Sequence, residues 1–166
     1  MDEKNLKLWI ASLLKQEGKR IAENTIHHLI SKSGSDMENL QNEIEKLVCY
    51  AYDREIITKE DGKINWDDSA LKIEAMVRAY FPSPSAWCLE NDLPLKINSS
   101  CVYNGTYECD DKPNGTVLDF VKSEGILIKT GDGILCVKEL QRQGKKSMFY
   151  KDFMNGARDF VGTVLK

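Results

Sequence analysis

The sequence predicts an α+β protein of two modules, a three-helix bundle over residues 1–62 followed by a helix and a five- or six-stranded β-barrel over residues 63–166. Two observations predict this division. Up to residue 61 the chain has Gly only at positions 18 and 34 and no Pro, and its apolar residues recur at helical spacing. Beyond that point, short alternating apolar runs are separated by turns rich in Gly, Asn and Pro, which is typical of β-structure. A hydrophobic fraction of 42% is sufficient for folded cores.

The first module is predicted to contain three amphipathic helices with short connections. Gly18 and Gly34 end the first two helices, and Asp36 is the predicted N-cap of the third. The apolar faces consist of Leu6, Trp9, Ile10, Leu13 and Leu14, then Ile21, Ile26, Leu29 and Ile30, then Leu40, Ile44, Leu47, Val48 and Ala51. Three such helices pack naturally into a bundle. Thr58 and Asp61 have the spacing of a capping box, but the helix that it would begin does not follow.

The second module is predicted to begin with a helix from Ala70 to about Tyr80, preceded by capping residues at 67–69. The segment 81–84 ends this helix, since its two prolines disfavour helical structure. Strands are predicted at 86–90, 93–103, 115–122, 125–130 and 133–140, with a short amphipathic stretch at 152–156. Five short strands without crossover helices favour a Greek-key barrel of the OB type over a parallel sheet.

A group of basic residues in the last thirty positions is the candidate binding site. It comprises Lys138, Arg142, Lys145 and Lys146, with Lys151 and Arg158 adjoining. Such a loop can follow a phosphate backbone, and each neutralised phosphate steepens the salt dependence of binding by roughly 0.7 to 0.9 log units. The alternative is that these are ordinary solvated charges on a barrel rim. The formal net charge of the chain is −3, so any affinity for nucleic acid must come from this local patch.

Three aromatic residues, Trp87, Tyr103 and Tyr107, are candidates for stacking on unpaired bases. Trp87 lies between Ala86 and Cys88 in a predicted strand, which favours a place in the core. The sequence leaves the two tyrosines open between core and surface.

The remaining residues do not supply a catalytic or metal site. His27 and His28 are adjacent on a predicted helix and point about 100° apart, so they do not ligate one metal together. The acidic pairs at 67–68 and 110–111 have no His or Cys at ligand spacing, and the Gly-Asp-Gly turn at 131–133 lacks the context of a phosphate loop. We therefore predict no enzymatic activity, no cofactor and no bound metal.

Composition also bears on redox state and location. The five cysteines are odd in number and include no CxxC pair, so they indicate neither a disulfide framework nor a zinc site. Cys101 and Cys109 could face each other across a hairpin, but a reducing compartment would keep them apart. No apolar run is long enough to span a bilayer, and the N-terminus has none of the features of a signal peptide. We expect a cytoplasmic protein with free thiols and no membrane contact.

Many segments of the second module recur in one known family. They lie at 64–66, 70–78, 82–84, 86–87, 113–117, 130–133, 139–141, 144–146 and 152–156. In order and spacing they resemble the C-terminal domain of methionyl-tRNA formyltransferase over residues 63–166. The resemblance implies an OB-like barrel that helps to hold the initiator tRNA. It also implies that formyl transfer takes place in a separate N-terminal domain, whose Asn, His and Asp catalytic set has no counterpart in this sequence.

Two positions depart from the pattern of that family. Ser85 stands where the family usually has Gly, and Ser147 follows the lysine pair where the family usually has a third cation. Fewer phosphate contacts are therefore expected than in the family, and the tRNA affinity implied by the resemblance is low.

The first module resembles a different family. Its segments at 8–10, 18–21, 34–40, 42–47 and 57–61 are similar to the three-helix lid domain of the DNA polymerase III delta subunit, a clamp-loader component. A generic helical bundle is the alternative. Because the two resemblances belong to unrelated machines, we expect a chimeric chain. The competing interpretation is a structural or protein-interaction role, in which the helical faces mediate self-association and no nucleic acid binds.

Overall fold

The computed structural model describes residues 3–33, 36–50, 56–57, 62–82 and 84–166. The chain divides into two compact units, a helical unit of residues 1–62 with 79–85 and a sheet unit of residues 63–78 with 86–166. The predicted α+β class is confirmed. The predicted boundary between residues 62 and 63, and the independence of two modules, stay predictions.

Three helices form most of the helical unit. They are α1 at Glu3–Gln16, α2 at Glu23–Ser33 and α3 at Met37–Tyr50. They contact one another in pairs, and each buries an apolar stripe, with Leu6, Ile10 and Leu14 on α1, Ile26 and Leu29 on α2, and Leu40, Ile44 and Leu47 on α3. The predicted cap of α3 is confirmed, because Asp36 Oδ1 accepts a hydrogen bond from the Asn39 N–H at 2.8 Å. The packing of the three helices as a bundle stays a prediction.

The start of α2 differs from the prediction, which placed Ile21 on the second helix. Arg20–Ile21 instead forms β1, a two-residue strand that pairs in parallel with β2, Ile56–Ile57. Gly18 has a φ of +68°, so α1 ends in a left-handed turn and the chain becomes extended before α2 begins. The predicted capping segment at 58–61 lies outside the described residues.

The fourth helix, α4, spans Ala70–Tyr80 and confirms the predicted bounds. Ser69 caps it, because Ser69 Oγ accepts a hydrogen bond from the Lys72 N–H at 3.2 Å. Asp68, also predicted to cap this helix, instead pairs with Lys72 Nζ at 2.9 Å, in an exposed i,i+4 ion pair.

Six strands form an antiparallel sheet in the order β3-β4-β7-β6-β5, with β8 paired to β7. Their bounds are Ala86–Glu90 for β3, Leu93–Val102 for β4, Val117–Val121 for β5, Gly125–Lys129 for β6, Ile134–Arg142 for β7 and Met148–Phe149 for β8. The five predicted strands are confirmed apart from small differences at their ends, and β8 is an addition. Helix α5 at Tyr150–Asn155 and a 3₁₀ helix at Arg158–Phe160 follow.

The C-terminal segment joins the two edges of this sheet. The Leu165 N–H donates to the Gly115 carbonyl at 2.9 Å, next to β5. Lys166 and Leu89 exchange two backbone hydrogen bonds, of 3.0 and 2.7 Å, on β3. Backbone groups that an open sheet would leave unpaired at its edges therefore find partners. Closure of a sheet into a barrel requires such a link between its edges. The predicted Greek-key barrel of the OB type stays a prediction.

One buried cluster fills the region where β6 and β7 meet the segment between β4 and β5. It consists of Cys109, Leu118, Leu127, Ile134 and Cys136, with Cys101, Tyr103, Tyr107 and Val121 packed against it. Strands β6 and β7 are each buried at four successive positions, so both of their faces are covered there. Exposure increases only toward the C-terminal end of β7. The charged side chains of that end are therefore available for interactions at the surface.

Candidate nucleic-acid interface

Helix α5 brings three of the six predicted cations together at the end of β7. Lys138 lies on β7 and Lys151 on α5, and their Nζ atoms lie 6.0 and 5.7 Å from the centroid of the Tyr150 ring. Both distances suit a cation–π interaction. Lys138 Nζ also donates to the Glu124 carbonyl. Tyr150 is buried, so its ring holds the two lysine side chains at a fixed place on the surface.

The third cation, Arg142, is engaged within the protein. Its Nε and Nη2 atoms donate to the two carboxylate oxygens of Glu90 at 2.7 and 2.6 Å, and its guanidinium lies 4.5 Å from the Phe153 ring centroid. The hydrogen bonds from Glu90 raise the pKa of Arg142, against the opposing effect of burial. Because Glu90 already neutralises this charge, Arg142 positions α5 against β7 and β3 more than it offers a charge to a ligand.

The loop after β7 holds the two cations that are most available. Lys145 N–H donates to the Arg142 carbonyl at 3.1 Å, and Gln141 Nε2 donates to the Lys145 carbonyl at 2.6 Å. The backbone of the loop is thereby held. Lys145 and Lys146 are both exposed, and neither ammonium group has a hydrogen bond or ion pair to any residue that the structure describes.

Ser147, at the position of the expected third cation, is part of a polar link. Its hydroxyl donates to Glu139 Oε1 at 2.6 Å and accepts a hydrogen bond from Asn98 Nδ2 at 2.6 Å. These two hydrogen bonds hold the loop against strands β4 and β7, and they place the Glu139 carboxylate close to the loop. That carboxylate lowers the positive potential next to Lys146.

Arg158, the last predicted site residue, is exposed at the start of the 3₁₀ helix. The structure describes no side-chain contact between Arg158 and the other five predicted residues. Arg158 is therefore close to the other predicted residues along the chain, but no described contact links it to them.

Phe149 is a surface residue that the sequence analysis missed. It ends β8, it is 58% exposed, and its ring centroid lies 6.1 Å from that of Tyr150. Phe149 lies opposite Glu139 of β7, and its exposed ring has the chemistry needed to stack on a nucleobase. The signal was present in the sequence, since Phe149 lies three residues after Lys146. We call Lys138, Lys145, Lys146, Phe149 and Lys151 the basic surface.

The three aromatic candidates for stacking make other contacts. Tyr103 and Tyr107 pack against the buried cluster, and the Tyr107 hydroxyl donates to the Leu118 carbonyl at 3.3 Å. Trp87 is half-buried in β3, and Lys63 Nζ lies 5.9 Å from its ring centroid. No contact that the structure describes links these three rings to the basic surface.

Other candidate chemistry has structural explanations. The His27 ring lies 3.2 Å from a carboxylate oxygen of Glu3 on the surface. Asp67 accepts a hydrogen bond from Asn114 Nδ2 at 2.8 Å, as a turn residue does. Among the described residues, no three His, Cys, Asp or Glu side chains are grouped so as to hold a metal ion. Within the same residues, no helix has the length and apolar character needed to cross a bilayer.

Comparisons with known proteins agree with the geometry of the sheet unit. Residues 56–158 match the family described as formyl transferase, C-terminal domain. The methionyl-tRNA formyltransferase of Treponema denticola is 38% identical over 135 residues, a match that covers 76% of this chain and 40% of that protein. The corresponding protein of Roseiflexus castenholzii is 39% identical over 103 residues, covering 62% of this chain and 32% of that protein. The chain thus spans well under half the length of these relatives.

A solved structure shares the fold at low sequence identity. HypX from Aquifex aeolicus in complex with tetrahydrofolic acid superposes with a TM-score of 0.52 at 14% identity, covering 63% of this chain and 18% of that one. The family match begins at residue 56, so it includes residues 57–61, which the sequence analysis assigned to the lid resemblance.

Proposed function

Because the chain belongs to the formyl transferase C-terminal domain family, we propose that its sheet unit binds tRNA weakly through the phosphate backbone and catalyses no reaction itself. The observation that carries the proposal is the exposed pair Lys145 and Lys146 on a loop whose backbone is held by hydrogen bonds. Relatives named methionyl-tRNA formyltransferase support tRNA as the nucleic acid.

The basic surface is suited to phosphate contacts with one stacking contact. The ammonium groups of Lys138 and Lys151 lie near the Tyr150 ring, while Lys145 and Lys146 lie on the loop after β7. Lysine ammonium groups act on phosphates as point charges, without sequence preference. Phe149 adds an exposed ring for an unpaired base, a contact of about 1 to 3 kcal/mol by the usual alanine substitution.

The charges around the surface favour low affinity. Residues 64–166 carry 13 Lys and Arg against 14 Asp and Glu, a net charge of −1, and Arg142 is neutralised by Glu90. Four lysines remain, so at most about four counterions are released, with a salt slope near 3 log units.

The direct test is fluorescence anisotropy of labelled initiator tRNA titrated with the full chain. We expect saturable binding that is stronger than to duplex DNA of equal charge, and weaker in the double variant Lys145→Ala/Lys146→Ala. The matched control is Lys4→Ala/Lys15→Ala, which removes two exposed charges of α1. Equal losses in both double variants would refute a role for the loop.

Phe149 is tested separately, with Phe149→Leu and Phe149→Ala. Leucine keeps an apolar side chain but has no ring face, so both variants should weaken tRNA binding to a similar extent if stacking operates. Retained affinity in Phe149→Leu and lost affinity in Phe149→Ala would assign an apolar packing role to this position instead.

A second candidate function concerns the helical unit. We propose that residues 1–62 are a lid-like bundle of the clamp-loader type, joined to the sheet unit in a recombined chain, and that this unit mediates self-association. Support comes from the amphipathic α1 to α3, from the 62% exposure of Leu8 on α1, and from the family match beginning only at residue 56. The longer match to the Treponema denticola protein weighs against a junction as late as residue 62.

Two measurements test this second candidate. Light scattering of the full chain and of Leu8→Glu should show an oligomer that the substitution disrupts, and a monomer in both would contradict self-association. Sequencing across the junction in the source genome should show a break in the reading frame, and an unbroken frame there would contradict a recombined chain.

A further inference from the structure

Two cysteines face each other across neighbouring strands. Cys101 of β4 lies directly opposite Cys136 of β7 in the antiparallel register. Two positions along the same ladder, just past the end of β4, the Tyr103 N–H donates to the Ile134 carbonyl at 2.9 Å. Since hydrogen-bonded pairs alternate along such a ladder, Cys101 and Cys136 also occupy a hydrogen-bonded pair. Their Cα atoms are then about 5.5 Å apart, inside the range that disulfides span.

We propose that Cys101 and Cys136 are a reversible disulfide site, closed by low-molecular-weight disulfides such as oxidised glutathione. The sequence had suggested Cys109 as a possible neighbour of Cys101 across a hairpin, with both thiols kept free. Cys109 packs in the same buried cluster but lies on the segment between β4 and β5, not on a strand opposite Cys101. Cys88, in β3, is buried, and its thiol lies 3.6 Å from the Leu95 carbonyl.

The chemistry balances as two successive thiol–disulfide exchanges. Cys101 is only partly buried, so its thiolate attacks one sulfur of oxidised glutathione and releases one glutathione thiolate. The thiolate of Cys136 then attacks the Cys101 sulfur and displaces the second glutathione. Two protein thiols are oxidised, and one glutathione disulfide is reduced to two thiols.

The surroundings of Cys136 determine which thiol reacts first. Cys136 is 1% exposed, and burial raises its pKa to about 11, although the neighbouring Lys138 ammonium opposes this effect. Cys136 is therefore suited to resolve the mixed disulfide, not to start the reaction.

The local geometry makes the bond easy to reduce. Opposite side chains in a ladder have Cβ atoms about 4.5 to 5.5 Å apart, whereas a relaxed disulfide needs about 3.5 to 4.5 Å. Closure must draw the strands together, and the register irregularity of β4 between Ile97 and Ser100 provides a place where the strand can adjust. A strained bond of this kind is reduced more readily than a structural disulfide.

The test treats the full chain with oxidised glutathione, blocks the remaining thiols and maps the peptides by mass spectrometry. Cleavage after Lys and Arg separates Cys101 and Cys109, in residues 97–122, from Cys136, in residues 130–138. Additional cleavage after Glu108 separates Cys101 from Cys109. The expected product is a cross-link from the Cys101 peptide to the Cys136 peptide, with two fewer blocked thiols.

Two variants, a reduction step and an internal control make the outcome of this experiment decisive. The cross-link should persist in Cys109→Ser, vanish in Cys101→Ser and reverse with excess reduced glutathione. The exposed Cys49 reports that the reagent has reacted, by forming a mixed disulfide. Complete reaction of Cys49 without the cross-link, or a bond from Cys109 to either partner in its place, would overturn the proposal.

Discussion

The ion pair between Arg142 and Glu90 provides the sharpest prediction, because its two side chains differ in burial. Arg142 is 41% exposed, whereas Glu90, which accepts both of its hydrogen bonds, is only 11% exposed. Arg142→Ala leaves a mostly buried carboxylate without its partner, while Glu90→Ala leaves a guanidinium that water can reach. We therefore expect Arg142→Ala to destabilise the sheet unit more than Glu90→Ala does.

The magnitude follows from the geometry. Removing one partner of a fully buried ion pair costs about 3 to 5 kcal/mol, and the exposure of Arg142 reduces this to about 2 kcal/mol because water screens the pair. Loss of the Phe153 contact at 4.5 Å adds about 0.5 to 1 kcal/mol. The combined cost of about 2.5 to 3 kcal/mol lowers the midpoint of thermal unfolding by roughly 5 to 12 °C in a chain of this size. For Glu90→Ala we expect about 1 kcal/mol.

The assay must report on the sheet unit alone. The chain has three tryptophans, of which Trp66 and Trp87 lie in the sheet unit and Trp9 in the helical unit. Urea unfolding followed by tryptophan fluorescence in a Trp9→Phe background isolates the sheet unit. Equal losses in both variants, or a larger loss in Glu90→Ala, would refute the structural role assigned to Arg142.

Three further predictions concern stability. Ser85 has a φ of +73°, a conformation that favours glycine, and its hydroxyl donates to the Pro82 carbonyl at 2.8 Å. Ser85→Gly relieves about 1 kcal/mol of backbone strain but loses a bond of similar worth, so urea midpoints should show little change, whereas Ser85→Ala should cost about 1 kcal/mol. A Cβ on Gly131 would lie 1.9 Å from the Asp67 carbonyl oxygen, so Gly131→Ala should cost about 3 kcal/mol. Gly144→Ala, with open space around it, should cost only about 1 kcal/mol, and similar midpoints for these two variants would contradict the packing argument. Burial raises the pKa of Cys136 from 9.0 to about 11, so the folded chain keeps a proton that the unfolded chain loses. The contribution of Cys136 to stability is therefore constant below pH 9 and falls from pH 9 to 11 by up to about 1.4 kcal/mol per pH unit, and Cys136→Ala should remove this part of the alkaline loss in urea titrations.

Most regular elements were predictable because they carry periodic signals. The alternation in β3 and in the first half of β4, and the apolar spacing and Ser69 cap of α4, are local signals that the structure retains. Strands β6 and β7 instead carry continuous apolar runs that are buried on both faces. The two-residue strands β1, β2 and β8 are too short to show any period. The C-terminal link from Leu165 and Lys166 to both sheet edges depends only on backbone groups, which the sequence does not display.

The site was predictable in composition but not in pairing. A run of cations after β7 is visible in the sequence, yet the neutralisation of Arg142 depends on Glu90, 52 residues away. The same limit applies to the cysteines, because a hairpin reading made Cys109 the one neighbour of Cys101 that the sequence suggested, whereas strand register brings Cys136 opposite it.

The most direct test of tRNA binding by the basic surface is the salt dependence of affinity for initiator tRNA, in the unaltered chain and in Lys145→Ala/Lys146→Ala. If these two lysines each neutralise one phosphate, the slope of log affinity against log salt should be shallower in the variant by roughly 1.4 to 1.8. The Lys4→Ala/Lys15→Ala control should keep the slope of the unaltered chain. An unchanged slope in the loop variant, at unchanged stability, would show that the loop does not contact tRNA and would contradict the proposed function.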